Sequence, residues 1–147
     1  MYKFSAPMPY NTEDINNLLD VNNNIEKSRI TSLFLSLPSN NDLFTGFEQR
    51  RNFSFEHKNF EYWKKLISCV FDKGIDVIYL LNSPNGIRIE NPNLQKQLER
   101  LDKLLNEFRK IGVNKLRVSD NKLLSYLNKH YSDFHLYAST SFEFKII

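Results

Sequence analysis

Cysteine, glycine and proline are all scarce in this sequence. Its 147 residues include one cysteine, four glycines and five prolines. The single cysteine, Cys69, excludes an internal disulfide and any metal or iron–sulfur site built from cysteines alone, and it favours a reducing, cytoplasmic location. No low-complexity linker divides the chain, so we expect residues 1–147 to form a single domain.

Long apolar runs and a strong excess of one charge are also missing. No stretch approaches the ~20 apolar residues that span a membrane, and the first residues do not resemble a signal peptide. The formal net charge is only +3, a basic bias too small to indicate nucleic acid binding without a clustered patch. We therefore expect neither a membrane nor RNA as a partner.

The chain does contain a regular alternation of short apolar runs and amphipathic stretches. The runs predict strands at Lys3–Met8, Ile30–Leu37, Ile75–Leu81, Val113–Val118 and Phe134–Ala138. The stretches between them have apolar residues three and four apart and predict four helices. The first is capped by Asn11 or Thr12, and the others cover Asn59–Lys73, Asn93–Ile111 and Lys122–Tyr131.

The joints between these elements favour a parallel sheet. Gly74 and Gly112 mark two short helix-to-strand connections, which are typical of right-handed strand–helix–strand units. The predicted fold class is therefore α/β, an incomplete (βα) TIM-type barrel with about five parallel strands and four helices. The last residues, Phe142–Ile147, alternate like a further strand. Half of a barrel has unpaired edges, so we expect a second copy, a partner chain or this last segment to cover one.

The carboxyl ends of the predicted strands offer mainly neutral polar side chains. In a (βα) barrel the reactive residues lie on the loops after the strands, and here those positions hold Ser5, Pro7, Ser36, Ser39, Asn82, Ser83, Ser119, Asp120, Ser139 and Thr140. Neutral groups can hydrogen-bond a ligand but supply no general acid or base. Asn82, with Ser83 beside it, directly follows a buried strand and is a ligand-binding candidate. Its alternative role is a turn residue bonded to its own backbone.

One aspartate and three arginines are the charged candidates at the same edge. Asp120 could act as a base or contact a ligand, although an aspartate in Ser-Asp-Asn before a helix is more often an N-cap. Arg50, Arg51 and Arg88 lie in segments that should face this edge, and their planar guanidinium groups suit carboxylate or phosphate. Solvated surface arginines are the alternative. The predicted ligand is an anionic small molecule or peptide.

Other reactive residue types do not form a catalytic or metal-binding pattern. The histidines, at positions 57, 130 and 135, lack metal-ligand spacing, so no metal site is predicted. Cys69 falls in an apolar helical stripe and is expected to be a buried, inert thiol. No nucleophile elbow or phosphate-binding glycine loop is present, and the catalytic residues, if any exist, stay unknown.

Short stretches spread over nearly the whole chain carry a family resemblance. They read KFSAP at 3–7, SLPS at 36–39, YLLNSP at 79–84, IGVNKLRVSD at 111–120 and FHLYAST at 134–140. These stretches resemble strands and turns in the N-terminal half of the U32 peptidase-like proteins, a family of TIM-type barrels linked to collagenase-like peptidases and to anaerobic hydroxylation.

The resemblance implies two possible functions. One is a ligand- or partner-binding scaffold that is not catalytic alone; the other is a component of a peptidase-like or hydroxylase-like enzyme, completed by a second half or a dimer mate. Several family members hold an iron–sulfur cluster through cysteines, largely in the other half of the barrel. Asn85 stands where the family has a cysteine, so we expect no cofactor in this chain.

Overall fold

A computed structural model describes residues 1–37, 59–81 and 93–139, which form a five-stranded parallel sheet and four helices. In chain order the elements are β1 (Tyr2–Pro7), α1 (Thr12–Asn23), β2 (Ser28–Leu35), α2 (Phe60–Asp72), β3 (Asp76–Leu81), α3 (Leu94–Ile111), β4 (Lys115–Val118), α4 (Asn121–His130) and β5 (His135–Ala138). The predicted α/β class, with five parallel strands and four helices, is confirmed.

The strands lie side by side in the order in which they occur along the chain. The sheet order is β1-β2-β3-β4-β5 and every neighbouring pair is parallel. Because crossovers between parallel strands follow one hand as a rule, the helices lie on one side of the sheet, where α1 contacts α2 and α2 contacts α3. This is the arrangement of an incomplete (βα) barrel.

The core lies between the sheet and these helices. Alternate residues of the central strands are buried on the helix side, among them Leu33, Leu35, Val77, Tyr79, Leu81, Leu116 and Val118. They meet the apolar stripes of the helices, which include Trp63, Leu66, Ile67, Val70, Leu101, Leu104, Leu105, Phe108, Leu123 and Leu127. Tyr79 and Phe108 meet edge to face, with ring centroids 4.7 Å apart.

Polar side chains begin three of the helices. The backbone N–H groups of Asp14, Tyr62 and Leu123 donate to side-chain oxygens of Asn11, Asn59 and Asp120, respectively, at 2.8, 3.0 and 2.8 Å. Each bond satisfies a donor that the first turn of a helix leaves free. Because each of these helices follows a strand, its start lies near the carboxyl ends of the strands.

No helix within 1–37, 59–81 or 93–139 is both long and apolar enough to cross a membrane.

Candidate functional site

The carboxyl ends of the five strands form one edge of the sheet, which we name the carboxyl rim. Its strands end at Pro7, Leu35, Leu81, Val118 and Ala138. Because all strands are parallel, these ends and the helix starts that follow lie on the same side of the molecule. Ligand sites in parallel α/β folds lie at this edge.

Five of the six predicted ligand-binding residues lie outside the described residues. They are Arg50, Arg51, Asn82, Ser83 and Arg88. Ser39, Asn85, Thr140 and the predicted terminal strand Phe142–Ile147 also fall outside, as does His57. Their suggested roles remain predictions.

Asp120 is the predicted site residue that the structure does describe, and it is the N-cap of α4. Its Oδ1 accepts a hydrogen bond from the Leu123 N–H at 2.8 Å, and its carbonyl accepts one from the Leu124 N–H at 2.9 Å. The capping interpretation is confirmed. The cap fixes this carboxylate at the carboxyl rim beside β4, and a ligand contact by Asp120 stays a prediction.

Two of the serines predicted at the rim, Ser5 and Ser139, are engaged within the protein. The hydroxyls of Ser5 and Ser32 hydrogen-bond across β1 and β2 at 2.6 Å. Ser139 is buried, and its N–H donates to the carbonyl of Val118 at 2.8 Å, which continues the ladder between β4 and β5. These groups therefore stabilise the sheet at or near the rim.

An aromatic cluster of Tyr10, Tyr62 and Trp63 joins the starts of α1 and α2. The Tyr62 hydroxyl donates to the Tyr10 carbonyl at 2.5 Å. The Trp63 ring lies nearly perpendicular to both tyrosine rings, with centroids 5.6 and 5.9 Å away. Burial raises the pKa of Tyr10 above its ordinary value. The cluster fixes two helix starts relative to each other and thereby shapes the rim.

The sheet face opposite the helices, which we name the inner face, carries a second group of side chains. Strand register places Leu80, Arg117 and Tyr137 in one row across β3, β4 and β5. The adjacent row, two residues nearer the amino ends of the strands, holds Phe34, Ile78, Lys115 and His135. Because Leu116 and Val118 are fully buried on the helix side, strand alternation places Arg117 on the inner face.

Two cations on the inner face differ in their partners. Lys115 Nζ forms an ion pair with Asp76 Oδ2, so its charge is matched within the sheet. Arg117 Nε is shielded from solvent and has no hydrogen-bond partner in the three ranges that the structure covers. A shielded donor without a partner is uncommon, because it loses water without gaining a bond. Among the described residues of this face, Arg117 is therefore the cation that an anionic ligand could pair.

The sequence-based prediction missed Arg117. Its motif, Leu116-Arg117-Val118, sets a charged residue between two apolar ones in a short strand, and that signal was available. The face to which the arginine points, however, follows from the strand order, and its lack of a partner follows from the packing of neighbouring strands.

The histidines and the cysteine do not form a reactive group. Among the residues described, no three His, Cys, Asp or Glu side chains lie close enough to hold a metal ion. Cys69 is partly exposed and lines a shallow depression of about 500 Å³ on the outer side of α2 together with Glu61, Lys64, Lys65, Ser68, Asp72 and Lys73. The expected burial of the thiol is only partial, because Cys69 lies at the margin of the apolar stripe, and its inertness stays a prediction.

The arrangement is suited to binding. At the described part of the rim the carboxylate of Asp120 is held by a helix cap, and inside the sheet the hydroxyls of Ser5 and Ser32 bond to each other. The guanidinium group of Arg117 is suited to binding an anion. Comparison of the chain with models of known protein families and with curated protein sequences gives no match.

Proposed function

We propose that this chain is a ligand- and partner-binding scaffold, the N-terminal half of a U32 peptidase-like barrel that is not catalytic alone. The observation that carries the proposal is the sequential, all-parallel order of five strands with helices on one side. The stretches that resemble the U32 peptidase-like family add to it, because their described residues, including 3–7 and 115–118, fall on strands of this sheet. The single cysteine favours a cytoplasmic location.

The outer strands are where a partner would complete the barrel. In the described part of the chain, β1 pairs only with β2 and β5 pairs only with β4. An outer strand offers backbone donors and acceptors to another chain. Tyr2 and Phe4 of β1 are 72% and 53% exposed, which gives this edge an apolar surface. We propose a second copy of the chain as the partner, and a separate chain with the other half of the barrel as the alternative.

The solution mass at a series of protein concentrations tests this proposal. We expect a dimer whose dissociation constant rises at least about tenfold in Phe4→Lys, because the substitution places a charge in an apolar contact. Val21 is the matched control, because it is 60% exposed but lies on α1, and Val21→Lys should dimerise like the native chain. A monomer at every concentration, or equal effects of both variants, would contradict self-association at β1.

A component of a peptidase-like or hydroxylase-like enzyme is the second candidate function. The U32 resemblance favours it, and it requires that a second half or a dimer mate supply the acid–base groups. We propose that this chain contributes no cofactor of its own. Incubation of the purified chain with casein tests the distinction: the scaffold proposal expects no cleavage, and turnover that copurifies with the chain would overturn it.

A further inference from the structure

We propose that Arg117 anchors a small organic carboxylate on the inner face of the sheet. This inference takes its purpose from the proposed scaffold function, for which it names a ligand class, but it stands on separate observations. It concerns the row Leu80, Arg117 and Tyr137, which lies just below the strand ends of the carboxyl rim.

The two cations of β4 on this face differ in their ion-pair partners. Lys115 and Arg117 are two residues apart in β4 and lie on the same face, but within the described ranges only Lys115 has an ion-pair partner, Asp76. Arg117 Nε has neither solvent nor a hydrogen-bond partner in the described parts of the chain. An anion that accepts from the guanidinium group would give this arginine the charged partner that it lacks within the described parts of the chain.

The geometry of the guanidinium favours a carboxylate. Its planar fork matches the two oxygens of a carboxylate in a bidentate pair. A phosphate dianion calls for more positive charge than one unpaired arginine provides, because the nearby lysine is already neutralised by Asp76. The site is therefore suited to a single negative charge.

The neighbours of Arg117 favour an apolar body on that carboxylate. Leu80 and Tyr137 flank the arginine directly on the adjacent strands, and Tyr137 is 41% exposed. A ligand with its carboxylate on Arg117 would place a flat hydrocarbon against these side chains and bury apolar surface.

Benzoate is the probe for the test, with benzamide as its uncharged counterpart. We expect saturable binding of benzoate to the full chain at about millimolar concentration. Changes in the amide and side-chain NMR chemical shifts of β3, β4 and β5 measure this binding. Benzamide should produce no saturable shifts there. Inorganic phosphate should bind at least about tenfold more weakly than benzoate.

Matched variants locate the site. Arg117→Gln should weaken benzoate binding at least about tenfold, whereas Arg117→Lys should weaken it less because it keeps the charge. Arg29→Gln removes the same charge from an exposed position on β2 and should leave binding within about twofold. Far-ultraviolet circular dichroism of each variant establishes that it is folded before binding is measured.

Three outcomes would overturn the inference: no saturable benzoate binding by the native chain, equal binding by Arg117→Gln, or an equal loss in Arg29→Gln. Tighter binding of phosphate than of benzoate would overturn the carboxylate assignment. Benzoate binding by a chain that remains monomeric would refute self-association in the scaffold proposal but leave the Arg117 site standing, so the two failures are distinguishable.

Discussion

Single charged residues near both ends of the sheet contribute to the fold in identifiable ways. Asp120 caps α4 at the carboxyl rim. At the opposite end, Arg109 donates to the two carboxylate oxygens of Asp133 at 2.6 and 2.8 Å and lies over the rings of Tyr131 and Phe134. The Tyr131 hydroxyl donates to Asp102 at 2.9 Å, and its burial raises the pKa of Tyr131. These contacts tie α3 to the start of β5.

Replacement of Asp133 by asparagine should make the free energy of unfolding less dependent on pH in the acid range. The hydrogen bond from Arg109 lowers the pKa of Asp133 in the folded chain. This carboxylate therefore stabilises the fold above the pKa of an unfolded aspartate, ~4, and the contribution disappears as the pH falls through the lower folded-state pKa. Because Asp133 is half exposed, we expect at most about 1 kcal/mol.

Urea unfolding of the native chain and of Asp133→Asn between pH 7 and pH 3 measures this effect. The native chain should lose more stability than the variant over the acid part of that range. If the free energies of unfolding of the two chains change in parallel over the whole pH range, the ion pair does not contribute to the pH dependence of stability.

Substitutions at Asp120 separate its capping role from a role for its charge. Asp120→Ala should lower the free energy of unfolding by about 1 kcal/mol, because the Leu123 N–H loses its acceptor. Asp120→Asn should stay close to the native value, since an asparagine side chain caps equally well. Thermal unfolding of both variants checks this, and an asparagine variant as unstable as the alanine variant would argue that the charge itself is required.

Helix α3 contributes the longest apolar stripe to the core. Phe108 is fully buried and contacts Tyr79 of β3 and Phe60 of α2, with centroids 4.7 and 6.1 Å apart. Phe108→Ala should lower the free energy of unfolding by about 3–5 kcal/mol, because it removes a ring and leaves a cavity. Lys103→Ala, an exposed change on the same helix, should alter stability by less than ~0.5 kcal/mol. Equal effects of the two in urea unfolding would contradict this packing.

The elements themselves were predictable because their periodicity is strong. The predicted helix Asn93–Ile111 differs from α3 by one residue. Strand starts were less accurate, and the reason is local. The Ile75 and Val113 N–H groups donate to the carbonyls of Val70 and Phe108 at 3.3 and 3.0 Å. Both residues therefore belong to the turns that end helices, and the strands begin after them.

For the whole molecule, the parallel order of the strands could be predicted, but the face of the sheet that carries the proposed Arg117 site could not. Short joints at Gly74 and Gly112 indicated parallel neighbours, and the structure has them. The candidate site depended on loops after the strands, and of its six residues the structure describes Asp120 alone. Arg117 was missed because a strand residue acquires its face and its neighbours only when β3 and β5 lie beside it.

The central proposal is that this chain, which forms an incomplete barrel, pairs its outer strands with those of a second copy. Amide hydrogen exchange at low and high protein concentration tests this most directly, because it reports backbone bonds formed by individual strands. We predict that amides of β1 and β5 gain protection at high concentration, while those of α3 do not change. Exchange in β1 and β5 that is independent of concentration would contradict the claim.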